Sequence, residues 1–343
     1  MENSLSRILI ETTVRQTLKG LQENPKRSIR NVVDMALQFS EGRFQSRFFE
    51  TAQELLKNEG SAYYTLVQDA ASHIETEHLV KFGMNLGYNS CTWGARNIRL
   101  HEKQMGCNIP WTVLFQIDQA SYPEHLAQYH SAIEEGEGLG IFSWILVTQE
   151  DPAPLLPLVR EHSDSAFFLL CQPEFVTEAF LDAASRIHHL MLVVDFRPGA
   201  GDACALLRRA ALPYAVYYSY AQESVEGLVS GTLFQETQKL HPIFTVLIPE
   251  PGCPDSVRRA VYQAAAEARK SQNYQTIPWE LYYDTRNMDE IISDDACCVF
   301  FDSRGNLYTP DHQSTAAYGN LFEDGLTPVI RQAYPKAAPL PEA

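Results

Sequence analysis

Acidic and phenolic residues stand at the ends of apolar runs of strand length, where general acid–base chemistry could be performed. Asp118, Asp195 and Glu250 follow three such runs, and Tyr218 lies near the end of a fourth. Carboxyl and phenol groups exchange protons efficiently when their surroundings bring the pKa towards the working pH. If the runs are parallel strands of a barrel, their carboxyl ends meet at one edge. The sequence therefore predicts a polar pocket with these four residues as catalytic candidates.

Three further residues are candidates for cofactor binding. Gly199 and Gly201 lie in a turn before a helix, where the backbone can approach an anion and the first helical N–H groups are unpaired. Cys91 is predicted at a loop–helix start, a position that lowers the pKa of a thiol. A flexible turn and a small buried cysteine explain the same residues, so both interpretations stay open. No metal site is predicted, because the cysteines and histidines lack the spacing of zinc or iron–sulfur sites.

These residues need a framework that brings strand ends together. From residue 82 onward, eight apolar runs alternate with segments of helical length, and several runs are apolar at nearly every position. Strands that are covered by helices on both faces have this composition. The runs are 82–88, 111–117, 141–147, 166–171, 190–196, 214–220, 244–248 and 279–283. The prediction is an α/β protein with a (β/α) barrel of TIM type, complete or partly open. An open doubly wound sheet is the alternative.

Two regions of different pattern flank the barrel. Residues 1–80 are predicted to form an N-terminal helical region, and residues 81–292 the barrel. Residues 293–343 are predicted to form a C-terminal β-hairpin plus helix, with the hairpin turn at Asp302-Ser303-Arg304-Gly305 between two apolar segments.

The charge of the chain argues against two classes of partner. The net charge is −16 over 343 residues, which disfavours nucleic acid and anionic membrane surfaces. Residues 1–110 carry +1 and residues 111–343 carry −17, so any contact with an anionic surface should use arginines of the first 50 residues. Four of them could form a basic helix face, although a solvated face is the simpler explanation: Arg27, Arg30, Arg43 and Arg47.

The cysteines and the N-terminus indicate a location. Seven cysteines at irregular spacing argue against a disulfide framework and predict a reducing, cytoplasmic environment. The first residues lack the basic and apolar segments of a signal peptide. No apolar run approaches the roughly 18–20 residues that a membrane span needs. The expected partner is a small molecule or another protein.

The order of elements resembles the radical S-adenosylmethionine superfamily. The resemblance implies a (β/α) barrel with a C-x-x-x-C-x-x-C cluster loop after the first strand. The corresponding stretch here contains Cys91, but Ala95 and Ile98 occupy the other two positions, and neither can bind iron. The Gly-Gly-Glu element expected after the second strand is also absent, since residues 117–121 read Ile-Asp-Gln-Ala-Ser.

The tail resembles a SPASM-type extension. It contains Cys297-Cys298, two short apolar segments around a turn, and Gly319-Asn320-Leu321, but Thr309-Pro310-Asp311 replaces the cysteine expected after the second strand. The resemblance implies S-adenosylmethionine and a four-iron cluster as cofactors, and that cluster needs three protein thiolates. Because the motif is not intact, the prediction is a degenerate barrel that has lost the cluster, with no cofactor.

Three functions stay open at this point. The first is a degenerate barrel that binds a small molecule or a protein partner without radical chemistry. The second is a cluster-free enzyme that uses the four acid–base candidates in the barrel mouth. The third, ranked last, is an active radical enzyme whose cluster is held by scattered cysteines such as Cys91, Cys107 and Cys298.

Overall fold

The described part of the N-terminal region is helical, as predicted. The computed structural model describes residues 2–21, 24–38, 50–293, 295, 297–308 and 314–336. Within this part of the chain, the helices before the sheet include α1 Glu2–Gly20, α2 Pro25–Gln38, α3 Ala62–His73 and α4 Thr76–Gly83. Arg43 and Arg47 lie outside the described residues, and Arg30 is paired with Glu59 at 2.7 Å. None of the described helices combines the length and apolarity needed to cross a bilayer.

The run 82–88, predicted to be the first strand, is helical instead. Helix α4 continues into π-helical turns at Met84–Gly94 and then into α5, Ala95–Met105. A short apolar run fits a buried helix as well as a strand. Val80, Met84 and Tyr88 follow one another at four-residue spacing, and together they form a buried row against α1. The first strand therefore begins later than predicted, at Val113.

The described strands form one ten-stranded sheet with the order β10-β9-β8-β1-β2-β3-β4-β5-β6-β7. Strands β1 to β8 pair with one another in parallel, whereas β8 pairs with β9, and β9 with β10, in antiparallel fashion. The bounds are β1 Val113–Gln116, β2 Ser143–Val147, β3 Ala166–Cys171, β4 Leu190–Asp195, β5 Tyr214–Tyr220, β6 Phe244–Pro249, β7 Ile277–Glu280, β8 Val299–Phe301, β9 Asn306–Tyr308 and β10 Ser314–Asn320.

The parallel strands are wound in one direction and curl. Strands β1 to β7 lie side by side in chain order, whereas a doubly wound sheet reverses its order at a switch point. A single cavity of about 90 Å³ is lined by residues from β2 through β7. In a flat sheet, with strands about 4.8 Å apart, β2 and β7 would be about 24 Å apart. The sheet therefore curls around this cavity in the manner of a (β/α) barrel, and the doubly wound alternative is wrong.

Helices cover the outer face of the curled sheet. The connections after β1, β2, β3 and β4 contain α6 Tyr122–Leu139, α7 Leu156–Glu161, α8 Glu178–Ala184 and α9 Ala200–Arg209. Phe115 and Trp144 belong to the outer core with these helices, whereas Leu170 and Val193 belong to the inner core with Phe82. Successive side chains of a strand point to opposite faces, and here each face packs into one of these two cores. Both faces are therefore buried, which explains the uninterrupted apolar runs.

The last part of the parallel sheet departs from the prediction at one point. Helices α10 Val225–Val229 and α11 Thr232–Thr237 precede β6, and α12 Asp255–Ser271 precedes β7. The run 279–283 was predicted as one strand, but β7 ends at Glu280 and α13, Leu281–Ser293, begins at the next residue. The Asp284 carboxylate accepts the Glu280 N–H at 2.8 Å, so it satisfies an amide at the helix start.

The tail forms the predicted hairpin and helix. Strands β8 and β9 pair across a turn in which the Asp302 carboxylate accepts the N–H groups of Arg304 and Asn306. Strand β10 leads into α14 Leu321–Asp324 and α15 Leu326–Ala333. Because β8 pairs in parallel with β1, the hairpin extends the barrel sheet.

Candidate functional site

The four predicted catalytic residues lie at the carboxyl edge of the sheet without contacting one another. Asp195 ends β4, and Tyr218 lies near the end of β5, where its hydroxyl donates to Ser224 at 3.4 Å. Asp118 and Glu250 are exposed beyond β1 and β6. All four side chains are described, and no hydrogen bond or ion pair joins any two of them. Their catalytic roles stay predictions.

Asp195 belongs to a polar network along the carboxyl edge. Its carboxylate lies 3.9 Å from Nε of Arg197 and beside the hydroxyl of Tyr217. Nε2 of Gln172 donates to the Tyr217 hydroxyl at 3.3 Å and also to Gln149. Burial raises the pKa of Asp195, and Arg197 opposes that shift. Most of the polar groups in this network therefore satisfy one another.

A second polar group at the same edge surrounds Glu280, whose side chain is fully buried. Its carboxyl oxygens accept hydrogen bonds from the Tyr220 hydroxyl at 2.8 Å and the Tyr283 N–H at 2.6 Å. Burial raises the pKa of Glu280 to about 7, although the two donors oppose the shift. A carboxyl group with this pKa exchanges a proton readily near neutral pH. Glu280 pairs in register with Leu247 and, like Tyr220, lies with the core residues beneath α12 and not inside the barrel.

Two arginines of α12 lie near Glu280. Arg258 is buried, its guanidinium is 5.3 Å from the centre of the Tyr282 ring, and its Nε and Nη1 have no hydrogen-bond partner in the described part of the chain. Arg269 donates two hydrogen bonds of 2.7 Å to the Asp284 carboxylate on α13. The Arg269–Asp284 pair thus joins two helices, whereas Arg258 retains two donors that a ligand could use.

The space inside the barrel is small and apolar. Its volume is about 90 Å³, and its walls include Leu170, Val193 and Trp279. Small-molecule sites usually occupy roughly 300–1,000 Å³. The inner face of the sheet is therefore mostly filled by its own side chains.

Gly199 and Gly201 lie where the sequence placed them, between β4 and α9. Gly199 has a φ of 98°, a left-handed conformation that favours glycine, and Gly201 lies in the first turn of α9. Glu174, which is paired with Arg197, and Asp202 in the same first turn add negative charge nearby. The turn conformation is sufficient to explain Gly199, and cofactor binding by either glycine stays a prediction.

Cys91 lies on the π-helical segment and not in a loop after a strand. Asn85 of the same segment donates to the carbonyls of Ser163 and Ser165, which directly precede β3. Cys91 is therefore near the amino edge of the sheet, opposite the four predicted catalytic residues. Burial raises the pKa of Cys91 to about 12, so the lowered pKa predicted for this thiol is wrong.

The cysteines do not gather around either cavity. An iron–sulfur cluster is held by several converging thiolates, whereas the seven cysteines here lie on several separate segments. Cys171 lies in β3, Cys204 in α9 and Cys297 directly before β8. No cysteine lines the cavity inside the barrel or the larger cavity at the amino edge. No reaction step through a cluster follows from this arrangement.

The larger cavity, of about 300 Å³, lies between α1, α4 and the turns before β3 and β4; we call it the amino-edge pocket. Glu11 and Glu77 line it, and both bond to Arg15. Arg160 has no hydrogen bond or ion pair with any described residue, and Nε of Arg7 is buried without a partner. Five cationic side chains line the pocket: Arg7, Arg15, Lys81, Arg160 and Arg186.

Sequence reasoning missed both Glu280 and the amino-edge pocket. The sequence places Glu280 in a predicted strand that spans residues 279–283. The acidic residue four positions later, Asp284, is the signal for a helix start, because its carboxylate accepts the Glu280 N–H. The pocket left no signal in the sequence, because Arg7 and Arg186 are far apart in the chain and meet only through helix packing.

The comparisons with known proteins give a distant structural likeness. SuiB of Streptococcus suis bound to its precursor peptide SuiA has a TM-score of 0.48 at 10% identity, over 70% of this chain and 69% of that chain. SuiB bound to S-adenosylmethionine gives 0.48 at 9% identity, over 88% and 80%. A further SuiB structure gives 0.45 at 10% identity, over 87% and 78%. No family model and no curated protein matches the chain. A likeness at this level assigns no chemistry.

Proposed function

We propose that the protein binds a small phosphorylated molecule in the amino-edge pocket and works without an iron–sulfur cluster. The observation that carries the proposal is the concentration of five cations around one cavity in a chain whose net charge is −16. Arg7 and Lys81 share one exposed carboxylate, Asp164, at 3.9 and 3.3 Å. Exposed ion pairs of this kind are weak, so their charge is available to a ligand.

The shape and chemistry of the pocket suit a small anion. Its volume is at the lower end of the range of ligand pockets. Guanidinium groups present planar sets of donors that match phosphate oxygens. Val80 and Met84 add an apolar wall against which the rest of a ligand could pack.

Calorimetric titration tests this function with inorganic phosphate, pyrophosphate and a nucleoside monophosphate. Removing one charged donor in Arg160→Gln should weaken binding about tenfold, because a hydrogen bond to a charged group contributes roughly 1.5 kcal/mol. Arg209→Gln, an exposed arginine on α9, is the control with the same change in charge. The proposal fails if no probe binds at millimolar concentration, or if both variants lose affinity equally.

The absence of a cluster has its own test. Cysteines that lie on separate segments, with none lining either cavity, support a degenerate barrel. The adjacent Cys297 and Cys298 before the hairpin support a SPASM-like remnant in the tail. Seven free thiols also support a cytoplasmic location. Anaerobic reconstitution with iron and sulfide should leave the protein colourless. A brown protein with several iron atoms per chain would contradict the proposal.

A second candidate function is acid–base catalysis at the carboxyl edge. It is favoured by Glu280, whose pKa is about 7, and by the unpartnered donors of Arg258. Proton abstraction would exchange substrate hydrogen with solvent deuterium, which NMR detects across a panel of carboxylic acids. Glu280→Gln should abolish any exchange, and Glu250→Gln, at an exposed predicted candidate, should not. Exchange that survives in Glu280→Gln would exclude this residue as the base.

A further inference from the structure

Three potential metal ligands meet beside the amino-edge pocket. Glu75 is the N-cap of α4, His78 lies in its first turn, and His188 is in the turn before β4. Each offers a ligand atom within 4.8 Å of the other two, and Oε2 of Glu75 is 3.7 Å from Nε2 of His78. The two imidazole rings are perpendicular, with centroids 4.7 Å apart. The three side chains therefore approach a common point from two separate segments.

His78 is the observation that points to a ligand. Its side chain is 1% exposed, and neither ring nitrogen has a hydrogen-bond partner among the described residues. A buried polar atom without a partner destabilises the folded protein, and a bound ion would remove that cost for one nitrogen.

We propose that Glu75, His78 and His188 bind a zinc ion, with a solvent molecule as the fourth ligand. Two imidazole nitrogens and one carboxylate oxygen form a donor set that tetrahedral zinc accepts. The spacing of Glu75 and His78, three residues apart, places both side chains on one side of a helical turn. His188 also lines the amino-edge pocket, so the ion would stand at its rim. The zinc proposal does not rest on phosphate binding in that pocket.

The local charges and the required movement are compatible with a cation. Arg186 and Lys81 line the neighbouring pocket and oppose binding, but Glu75 and Glu77 supply negative charge, and Glu77 interacts electrostatically with His188. Ligand atoms about 2.0–2.1 Å from a tetrahedral zinc are about 3.3 Å apart. Glu75 must therefore approach His78 by about 0.4 Å from its present 3.7 Å, and a ligand pair at the 4.8 Å limit must close by about 1.5 Å. The side chain of Glu75, which is 58% exposed, has room for such a shift.

Metal titration of the full chain tests the site. Chelator-treated protein should bind one Zn²⁺ per chain by calorimetry, and Co²⁺ should give the visible absorption of a four-coordinate ion. His78→Ala and His188→Ala should each weaken Zn²⁺ binding at least tenfold. His101→Ala is the matched control, because Nδ1 of His101 is 3.0 Å from the Asn97 carbonyl within its own helix.

If His78→Ala fails to fold, the zinc site can still be tested with a second variant. Glu75 is exposed, so Glu75→Gln should fold normally, retain its circular dichroism spectrum and still bind Zn²⁺ more weakly than the wild type. The proposal is overturned if the wild type binds no Zn²⁺, or if Glu75→Gln and His188→Ala keep wild-type affinity. Phosphate titration of the metal-free protein is scored separately, so either proposal can fail alone.

Discussion

Replacing Glu280 with glutamine tests how completely the fold excludes water from the Glu280 carboxyl group at the end of β7. The amide has nearly the shape of the carboxyl group, so its oxygen can accept the Tyr283 N–H while its NH₂ group donates to the Tyr220 hydroxyl. The substitution therefore keeps the two contacts of 2.6 and 2.8 Å and removes only the titration. In the folded wild type the pKa of Glu280 is raised from 4.5 to about 7.

This shift sets the sign and size of the expected effect. The folded state holds the proton more tightly than the unfolded chain, so the stabilisation is complete below pH 4.5 and is lost as the pH rises to about 7. A pKa difference of one unit corresponds to about 1.4 kcal/mol, and the full loss is about 3 kcal/mol. Between pH 5 and pH 8, the wild type should lose about 2.5 kcal/mol relative to Glu280→Gln.

Urea unfolding of both proteins at pH 5 and pH 8 measures this difference. Glu250→Gln removes an exposed carboxylate and should follow the wild type at both pH values. If the wild type and Glu280→Gln change in parallel to within about 0.5 kcal/mol, Glu280 is hydrated and the burial argument is refuted.

Three further predictions concern packing, pairing and thiol chemistry. A methyl group on Gly94 would lie 2.3 Å from the Gly140 carbonyl oxygen, so Gly94→Ala should lower the free energy of unfolding by about 3 kcal/mol, whereas Gly87→Ala in the same segment meets nothing within 4 Å and should be neutral or stabilising. Asp284→Asn leaves half of a buried ion pair and should cost about 3 kcal/mol in urea unfolding; a change below about 1 kcal/mol would contradict the assigned pair. A thiol-specific reagent should label native Cys91 slowly at pH 8, because burial raises its pKa to about 12, and should label all seven cysteines rapidly in urea. Cys91 is half-buried, and fast labelling in the folded protein would contradict the raised pKa.

The composition of the apolar runs was enough to predict most of the sheet. Parallel strands lie in four of the predicted runs: 141–147, 166–171, 190–196 and 214–220. These runs could be recognised because strands buried on both faces are apolar at nearly every position. The run 82–88 failed because its length is compatible with either secondary structure. Its packing decides the outcome, because Met84 and Tyr88 pack towards α1 while Phe82 packs into the inner core of the barrel.

The candidate sites depended on tertiary structure to a greater extent. Strand order placed Asp195 at the carboxyl edge, as the sequence indicated, but the burial that raises its pKa, and Tyr217 and Glu174 beside it, depend on how other segments pack there. Glu280 titrates near neutrality only because the fold removes water from it. A pKa set by burial cannot be derived from the residues on either side in the chain.

The sequence by itself determined an α/β chain with an N-terminal helical region, a C-terminal hairpin and no intact cluster motif. It did so because local composition and spacing decide which segments form strands and whether three thiols follow a motif. The tertiary structure alone decided that the sheet curls in one direction, that Cys91 lies near the amino edge, and that Glu75, His78 and His188 meet. The physical reason is that side chains up to 113 residues apart approach one another only after α4 packs against the turn before β4.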